Sequence, residues 1–225
     1  MARPAPRPGA DAGWKVGDLA ARLCRALDLA AVVVEDFGRD GYRDVEMPSL
    51  SFGPEKVVAE AAMLAHVASR ASTDRPVRDR VDALAERLVP LARSPRVLAD
   101  AALEPGRAFT YAVPHVLLAG LGRPDERFDR FLRGRCERAL ATWRDLPPSA
   151  ELERAWIARL WGWAAAGAEV LEGPHFGRPL AVCSGAREDA YAFTHQFFYL
   201  TDFGGEPRVW LARPRADLLS EVEVL

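Results

Sequence analysis

The chain has little of several residue types, and each shortage argues against a class of protein. Its three cysteines, Cys24, Cys136 and Cys183, lie far apart without a CxxC spacing, which argues against a disulfide framework or a structural zinc site. No apolar run approaches the roughly 18 residues that a membrane-spanning helix needs. The N-terminus also lacks the apolar segment of a secretory signal. We therefore expect a reduced, cytoplasmic protein without membrane contact.

Lysine, asparagine and isoleucine are also scarce. Lys15 and Lys56 are the only lysines, asparagine is missing, and Ile157 is the only isoleucine. The codons for these three residue types are AT-rich, so the composition indicates a gene from a high-GC bacterium. A net charge of −2 and a pI near 6.1 provide no overall attraction to nucleic acid or to anionic membranes, and we expect neither as a partner.

Several signature motifs are missing as well. The chain contains no P-loop, no GxGxxG, no kinase signature and no GxSxG elbow. It also lacks HxxxH and HExxH pairs, and its one ExxH spacing, from Glu172 to His175, lies in a Gly- and Pro-containing stretch. A metal site on the helices would therefore need every ligand from a different helix. His66, His115, His195 and Asp202 are the candidate ligands by residue type. We expect neither a metal nor a cofactor.

Apolar residues recur at helical spacing along most of the chain, and no stretch shows sustained β alternation. Proline follows a Ser or Gly cap at Ser94-Pro95 and Gly53-Pro54, as at the first position of a helix. The predicted helices cover 16–31, 55–71, 77–92, 95–104, 125–146, 150–170 and 186–203. We predict an all-α chain with a proline-rich disordered tail over residues 1–13 and one α-helical domain over 14–225.

Two Gly- and Pro-containing segments, 35–53 and 172–186, interrupt this pattern. We expect long connections there, which in compact domains are either binding loops or plain crossings between helices.

A weak internal repeat predicts how the helices are arranged. Tyr111-Ala-Val-Pro-His115 and Tyr191-Ala-Phe-Thr-His195 share a Tyr-Ala-x-x-His pattern 80 residues apart. Half of that separation is the length of one helical hairpin, so we predict stacked hairpins in a partial α/α toroid or solenoid. The predicted inner helices lie near 58–70, 108–121, 151–165 and 188–203. Pro114 either kinks its helix or marks its first turn.

The last predicted helix carries the strongest candidate for a functional site. Glu188, Tyr191, His195, Tyr199 and Asp202 recur at spacings of 3, 4, 4 and 3, which places them within an arc of roughly 80°. The opposite side of the helix is apolar. A helix of this kind is expected to separate a core from a polar cavity. The alternative is a buried histidine that bonds tyrosine hydroxyls and holds helices in register.

Histidine exchanges protons near neutral pH, so His195 is the predicted general acid or base. Asp202 or Glu153 would orient its ring, and Tyr191 or Tyr199 would donate a hydrogen bond to a developing oxyanion. The predicted catalytic residues are therefore His195, Asp202, Tyr191 and Glu153. The predicted substrate-binding residues are Tyr111, His115, Trp156, Tyr199 and Thr194.

Two tracts, Leu152–Trp161 and Asp189–Gly204, resemble a family of uncharacterised, mostly actinobacterial helical proteins that are often encoded near specialised-metabolite genes. With Thr110–His115 the resemblance covers about residues 95–204. It implies a helical fold and highlights Trp156, Thr194, His195 and Asp202, but it implies no activity.

Together these observations predict a small-molecule enzyme of bacterial specialised metabolism that uses acid–base chemistry on a carbonyl compound. Cyclisation, isomerisation and hydrolysis all stay open. The alternative is a non-catalytic α/α-repeat binding or scaffold protein. The apolar C-terminus at residues 221–225 is compatible with a homodimer.

Overall fold

The computed structural model describes residues 16–39, 54–104, 107–142, 148–163, 187–206, 216–217 and 220. These residues contain eight defined helices and no strand, so the all-α prediction is confirmed. The helices are α1 (Val16–Arg39), α2 (Pro54–Ala71), α3 (Arg75–Ala92), α4 (Pro95–Leu103), α5 (Ala108–Gly120), α6 (Glu126–Thr142), α7 (Pro148–Leu160) and α8 (Arg187–Leu200). None of them is long and apolar enough to cross a bilayer.

Local sequence explains several helix ends. The Ser94 hydroxyl accepts the Val97 N–H at 3.3 Å, and Pro95 occupies the first turn of α4. The prediction that α7 runs to residue 170 was wrong at its C-terminal end, because the helix stops at Leu160. Gly162 adopts a φ of 68° there, and the Trp163 N–H returns to the Ala158 carbonyl at 2.8 Å.

The first helix is longer than predicted, because α1 continues from residue 31 to Arg39. Val34, beyond the predicted end, is buried against the core, which gives the extra turns a packing partner. The remainder of the predicted connection at 35–53 lies outside the described residues. So do the predicted tail at 1–13, the connection at 172–186 and Cys183.

Helix α5 lies at the centre of the packing. Residues 111–118 are all buried, and the helix packs against α2, α3, α4, α6 and α7. A helix that is apolar around its whole circumference belongs in a core. Pro114 lies inside α5, so the helix does not begin at this proline, and Tyr111 and His115 occupy successive turns of one helix.

The four helices predicted as an inner layer pack consecutively, α2 on α5, α5 on α7 and α7 on α8. On the other side α1 packs on α2 and α3, while α4 and α6 pack on α5 and on each other. Most of the buried apolar side chains form one continuous cluster that includes members of all eight helices. The toroid or solenoid arrangement, and the limits of the domain, stay predictions.

Candidate functional site

The turn after α8 has an unusual backbone. Asp202, Phe203 and Gly204 adopt φ values of 48°, 54° and 88°, so two residues with side chains occupy the left-handed region, at a cost of about 1–2 kcal/mol each. The Phe203 N–H donates to the Phe198 carbonyl at 2.8 Å and closes the helix. The prediction that this helix reaches residue 203 was therefore wrong, and Asp202 does not continue the helical face that carries His195.

This turn directs the carboxylate of Asp202 into the protein, where the residue is only 3% exposed. The indole Nε1–H of Trp156 donates to Oδ1 at 2.8 Å, and the Arg70 guanidinium pairs with Oδ2. His66 Nε2 lies 3.5 Å from Oδ1. A buried carboxylate is tolerated only when donors of this kind compensate for its lost hydration.

Helix α2 supplies the basic side of the cluster. Lys56, Ala59, Met63, His66 and Arg70 recur at spacings of 3, 4, 3 and 4, so they share one face of the helix. The imidazole of His66 meets the Trp156 indole edge-on, with ring centroids 6.2 Å apart. This face brings α2 into side-chain contact with α7 and with the turn after α8.

His66 is held in its neutral form. Burial, and after it the Arg70 guanidinium, lower the pKa of His66 to about 4. The same Arg70 guanidinium pairs with the Asp202 carboxylate beside the ring. The Nε2 atom is buried and makes no hydrogen bond within the described part of the chain. The site therefore contains an uncharged imidazole beside an ion-paired carboxylate.

A second titratable pair adjoins the same tryptophan. Glu153 precedes Trp156 by three residues, so both side chains leave the same side of α7. Burial raises the pKa of Glu153, while a hydrogen bond from the Tyr199 hydroxyl partly offsets the shift. Tyr199 is itself buried, and its ring lies 5.5 Å from the Trp156 ring. Trp156 thus contacts both His66 and Tyr199, the partner of Glu153.

The predicted residues of α8 lie next to this pair. The His195 ring packs against Phe198 and Tyr199, with centroids 5.7 Å and 6.1 Å away. The Thr194 hydroxyl is exposed and lies 3.5 Å from His195 Nδ1. Tyr191 belongs to α8, but its side chain is outside the described residues. His195 therefore contacts Tyr199, which in turn hydrogen-bonds Glu153 and packs against Trp156.

The structure brings Glu153, Trp156, Tyr199 and Asp202 together, as grouped from the sequence, but it gives two other predicted residues different partners. His115 is fully buried, with Nε2 3.4 Å from Asp129 on α6. Tyr111 donates its hydroxyl to Asp100 of α4 at 3.0 Å. Asp202, by contrast, contacts α2 and α7.

The surroundings of His115 repeat the composition of the Asp202 cluster. Asp129 accepts the indole N–H of Trp161 and the Nε–H of Arg133, the latter at 2.9 Å, so each cluster combines Trp, Asp, His and Arg. Burial and the positive charge of Arg93 lower the pKa of His115, and Asp129 only partly opposes this. The two aspartates differ in backbone conformation, because Asp129 lies inside a regular helix and Asp202 lies in a left-handed turn.

Sequence reasoning missed the roles of His66, Arg70 and Asp129. One signal was present in the sequence, because His66 and Arg70 are polar residues on the inner face of an alanine-rich helix. Their pairing with Asp202 depends on a turn that no short sequence pattern predicted. Among the described residues, no three His, Cys, Asp or Glu side chains lie together as metal ligands.

Comparison with known proteins places the chain in a family. Residues 23–225 match DUF6895, which is described as a domain of unknown function. The chain belongs to this family. No curated protein and no solved structure matches the chain. Membership in DUF6895 brings no activity with it.

Proposed function

We propose that this protein is a small-molecule enzyme of bacterial specialised metabolism that uses acid–base chemistry at the Asp202 cluster. One observation carries the proposal. A buried carboxylate is held by a strained left-handed backbone, accepts an indole N–H, and lies 3.5 Å from a neutral histidine. Strained backbone conformations of this kind concentrate at functional sites, and perturbed titratable groups do so as well.

His66 is the proposed general base. A neutral imidazole carries one N–H and one lone pair, and the negative Oδ1 of Asp202 favours the tautomer with the proton on Nε2. The lone pair then lies on Nδ1, which accepts the proton from the substrate. Asp202 is the positioning residue in this scheme, and Trp156 and Arg70 fix its carboxylate.

Glu153 is the proposed general acid. Its raised pKa favours the protonated form, whereas the lowered pKa of His66 favours the neutral form. Two groups whose surroundings shift their pKa values in this way are suited to act as the general acid and the general base of one reaction. His195, Tyr191 and Thr194 are proposed to line the substrate side of α8. Tyr111 and His115 have no role in this proposal, because Tyr111 bonds Asp100 on α4 and His115 Nε2 lies against Asp129 on α6.

The chemistry that fits these roles is enolisation of a carbonyl compound. A C–H bond next to the carbonyl breaks and its proton moves to Nδ1 of His66, while Glu153 gives its proton to the carbonyl oxygen. The resulting enol returns to a ketone when His66 Nδ1 delivers a proton to carbon and the hydroxyl proton returns to Glu153. Isomerisation and cyclisation both begin with this step.

Deuterium exchange tests the proposal without knowledge of the natural substrate. Purified protein is incubated in D2O with a panel of β-dicarbonyl compounds and β-ketoacyl thioesters, and NMR measures loss of the proton next to the carbonyl. We expect exchange above the buffer rate for at least one compound. We also expect a loss of at least about a hundredfold in His66→Gln and in Glu153→Gln.

Tyr111→Phe is the matched control, because it also removes one buried polar contact but leaves the Asp202 cluster intact. Circular dichroism and urea unfolding establish that each variant is folded. Wild-type exchange rates in folded His66→Gln would refute the assignment. Binding of panel compounds without any exchange by the wild-type protein would favour the alternative of a non-catalytic binding protein.

A further inference from the structure

Two adjacent glycines end the turn after α8, and they have different reasons to be glycine. Gly204 adopts a φ of 88°, in the left-handed region that residues with a side chain rarely occupy. The φ angle of Gly205 lies outside this region, so its backbone conformation does not call for glycine. The other common reason for a glycine is the close approach of another group.

The guanidinium of Arg70 is the group that approaches Gly205. A Cβ added to Gly205 would lie 2.8 Å from Arg70 Cζ, closer still to Nη2, and 3.2 Å from the Asp202 carbonyl oxygen. Carbon atoms in contact normally stay about 3.5–4.0 Å apart. Through Nη1 the same guanidinium pairs with Oδ2 of Asp202. Arg70 therefore reaches the carboxylate by lying where a side chain of residue 205 would begin.

The backbone at Gly205 is held more firmly than the guanidinium. The Gly205 N–H donates to the Asp202 carbonyl at 3.1 Å, and the carboxylate of the next residue, Glu206, pairs with Arg159 on α7 at 3.1 Å. The side chain of Arg70 is 40% exposed and can rotate into water. A side chain at residue 205 is therefore expected to displace the guanidinium rather than the turn.

We propose that Gly205 is a positioning residue of the Asp202 cluster, because the lack of a side chain there lets the Arg70 guanidinium bind the Asp202 carboxylate. Oδ1 of the same carboxylate lies 3.5 Å from Nε2 of His66. An unpaired carboxylate at this range favours the imidazolium form, whereas a carboxylate paired with Arg70 leaves the imidazole neutral. The consequence for catalysis rests on the proposed function, but the ion pair and its effect on His66 do not.

The charge of His66 depends on groups from two elements. Arg70, one turn further along α2, lowers the pKa of His66, and Asp202 faces the ring from the turn after α8. Helix α7 contributes the uncharged indole of Trp156. Displacement of Arg70 therefore acts twice in the same direction. It removes a positive charge near the ring and leaves a negative charge unpaired beside it, and both changes raise the pKa of His66.

NMR titration of the His66 imidazole in Gly205→Val tests the proposal. Valine places a branched side chain where the guanidinium lies. We expect the pKa of His66 to rise from about 4 by one pH unit or more, because an opposite charge at close range shifts a pKa by about 1–3. Gly120→Val is the matched control, since Gly120 is exposed at the end of α5 and no atom lies within 4 Å of its added Cβ. An unchanged pKa in Gly205→Val, or an equal rise in Gly120→Val, would overturn the proposal.

A comparison with Arg70→Ala shows whether valine acts through the guanidinium. The double variant Arg70→Ala/Gly205→Val is expected to give the same pKa of His66 as Arg70→Ala alone, because the group that valine displaces is already missing. A further change in the double variant would mean that valine distorts the turn itself, and the proposed role of Gly205 would fail.

An Asp202→Asn background keeps the test decisive if Gly205→Val does not fold. Asparagine tolerates the left-handed conformation of residue 202, and it leaves no buried carboxylate without a partner. Circular dichroism is then expected to show that Asp202→Asn/Gly205→Val is folded. An unfolded double variant would mean that valine clashes with the backbone of the turn, which contradicts the proposal.

Deuterium exchange separates this inference from the proposed function. If His66 is the base, the acidic limb of the exchange rate in Gly205→Val moves to higher pH by the same amount as the pKa that NMR measures. A wild-type chain without exchange would refute the proposed enolisation. The shifted titration of His66 in Gly205→Val would still support the positioning role of Gly205.

Discussion

Acidification is expected to destabilise this protein through His66. The ordinary pKa of histidine is 6.5, and burial lowers that of His66 to about 4 in the folded protein. A lowered pKa means that the unfolded chain binds the proton more readily than the folded one. The stabilising contribution of neutral His66 is therefore fully present above pH 6.5 and is lost as the pH falls towards 4.

The size of the effect follows from the two pKa values. Each unit of difference corresponds to about 1.36 kcal/mol, so the drop from 6.5 to about 4 corresponds to about 3 kcal/mol in full. Between pH 7 and pH 5 the expected loss is about 2 kcal/mol, because titration of the unfolded chain begins near pH 6.5. The side chain of His66 is only 12% exposed, so solvent screens little of this.

Urea unfolding at pH 7, 6 and 5 measures the loss, with His66→Gln as the comparison. We expect the unfolding free energy of the wild-type chain to fall about 2 kcal/mol further than that of the variant over this range. The lowered pKa of His115 acts in the same direction in both proteins, so it cancels in the comparison. NMR supplies a direct readout, in which the imidazole signal that disappears in His66→Gln should not titrate above pH 5.

Two results would refute this reasoning. One is a His66 signal that titrates near pH 6.5, which would mean that solvent reaches the ring freely. The other is a wild-type pH slope equal to that of His66→Gln, which would mean that His66 ionises equally easily in the folded and unfolded states.

Three further outcomes are expected, each measured by urea unfolding at pH 7. Trp156→Phe removes the indole donor from buried Asp202 and should lower the free energy of unfolding by about 1–3 kcal/mol. A loss clearly smaller than about 1 kcal/mol would mean that water replaces the donor. Gly162→Ala should cost about 1–2 kcal/mol, because φ is 68° and no atom lies within 4 Å of an added Cβ; an unchanged stability would contradict the left-handed end of α7. Tyr111→Phe should cost about 1 kcal/mol through the lost bond to Asp100, and deuterium exchange at wild-type rate would separate it from the Asp202 cluster.

The sequence was most informative about the helices. Seven of the eight were predicted as helical segments, and α5 was placed by the Tyr-Ala-x-x-His repeat. The errors lie at helix ends, at Arg39, Leu160 and Leu200. Apolar periodicity continues past a helix end whenever the following turn also packs on the core, so it marks helices better than it marks their limits.

The candidate site was predicted only in part. Spacing along α7 and α8 singled out Glu153, Trp156, Tyr199 and Asp202. The same spacing placed Asp202 on one helical face with His195. This was wrong because helical spacing was assumed up to residue 203, whereas the helix ends at Leu200 and a turn follows. The contacts of Asp202 with His66 and Arg70 join residues more than 130 positions apart, and no local pattern contains that information.

The sequence by itself therefore determined the helical class and the approximate positions of the helices, because both depend on the spacing of side chains along a single helix. Tertiary structure alone decided which histidine lies against Asp202 and which lies against Asp129. That choice depends on the left-handed turn after α8 and on the contact of His66 on α2 with Trp156 on α7, where side chains distant in sequence meet in one buried cluster.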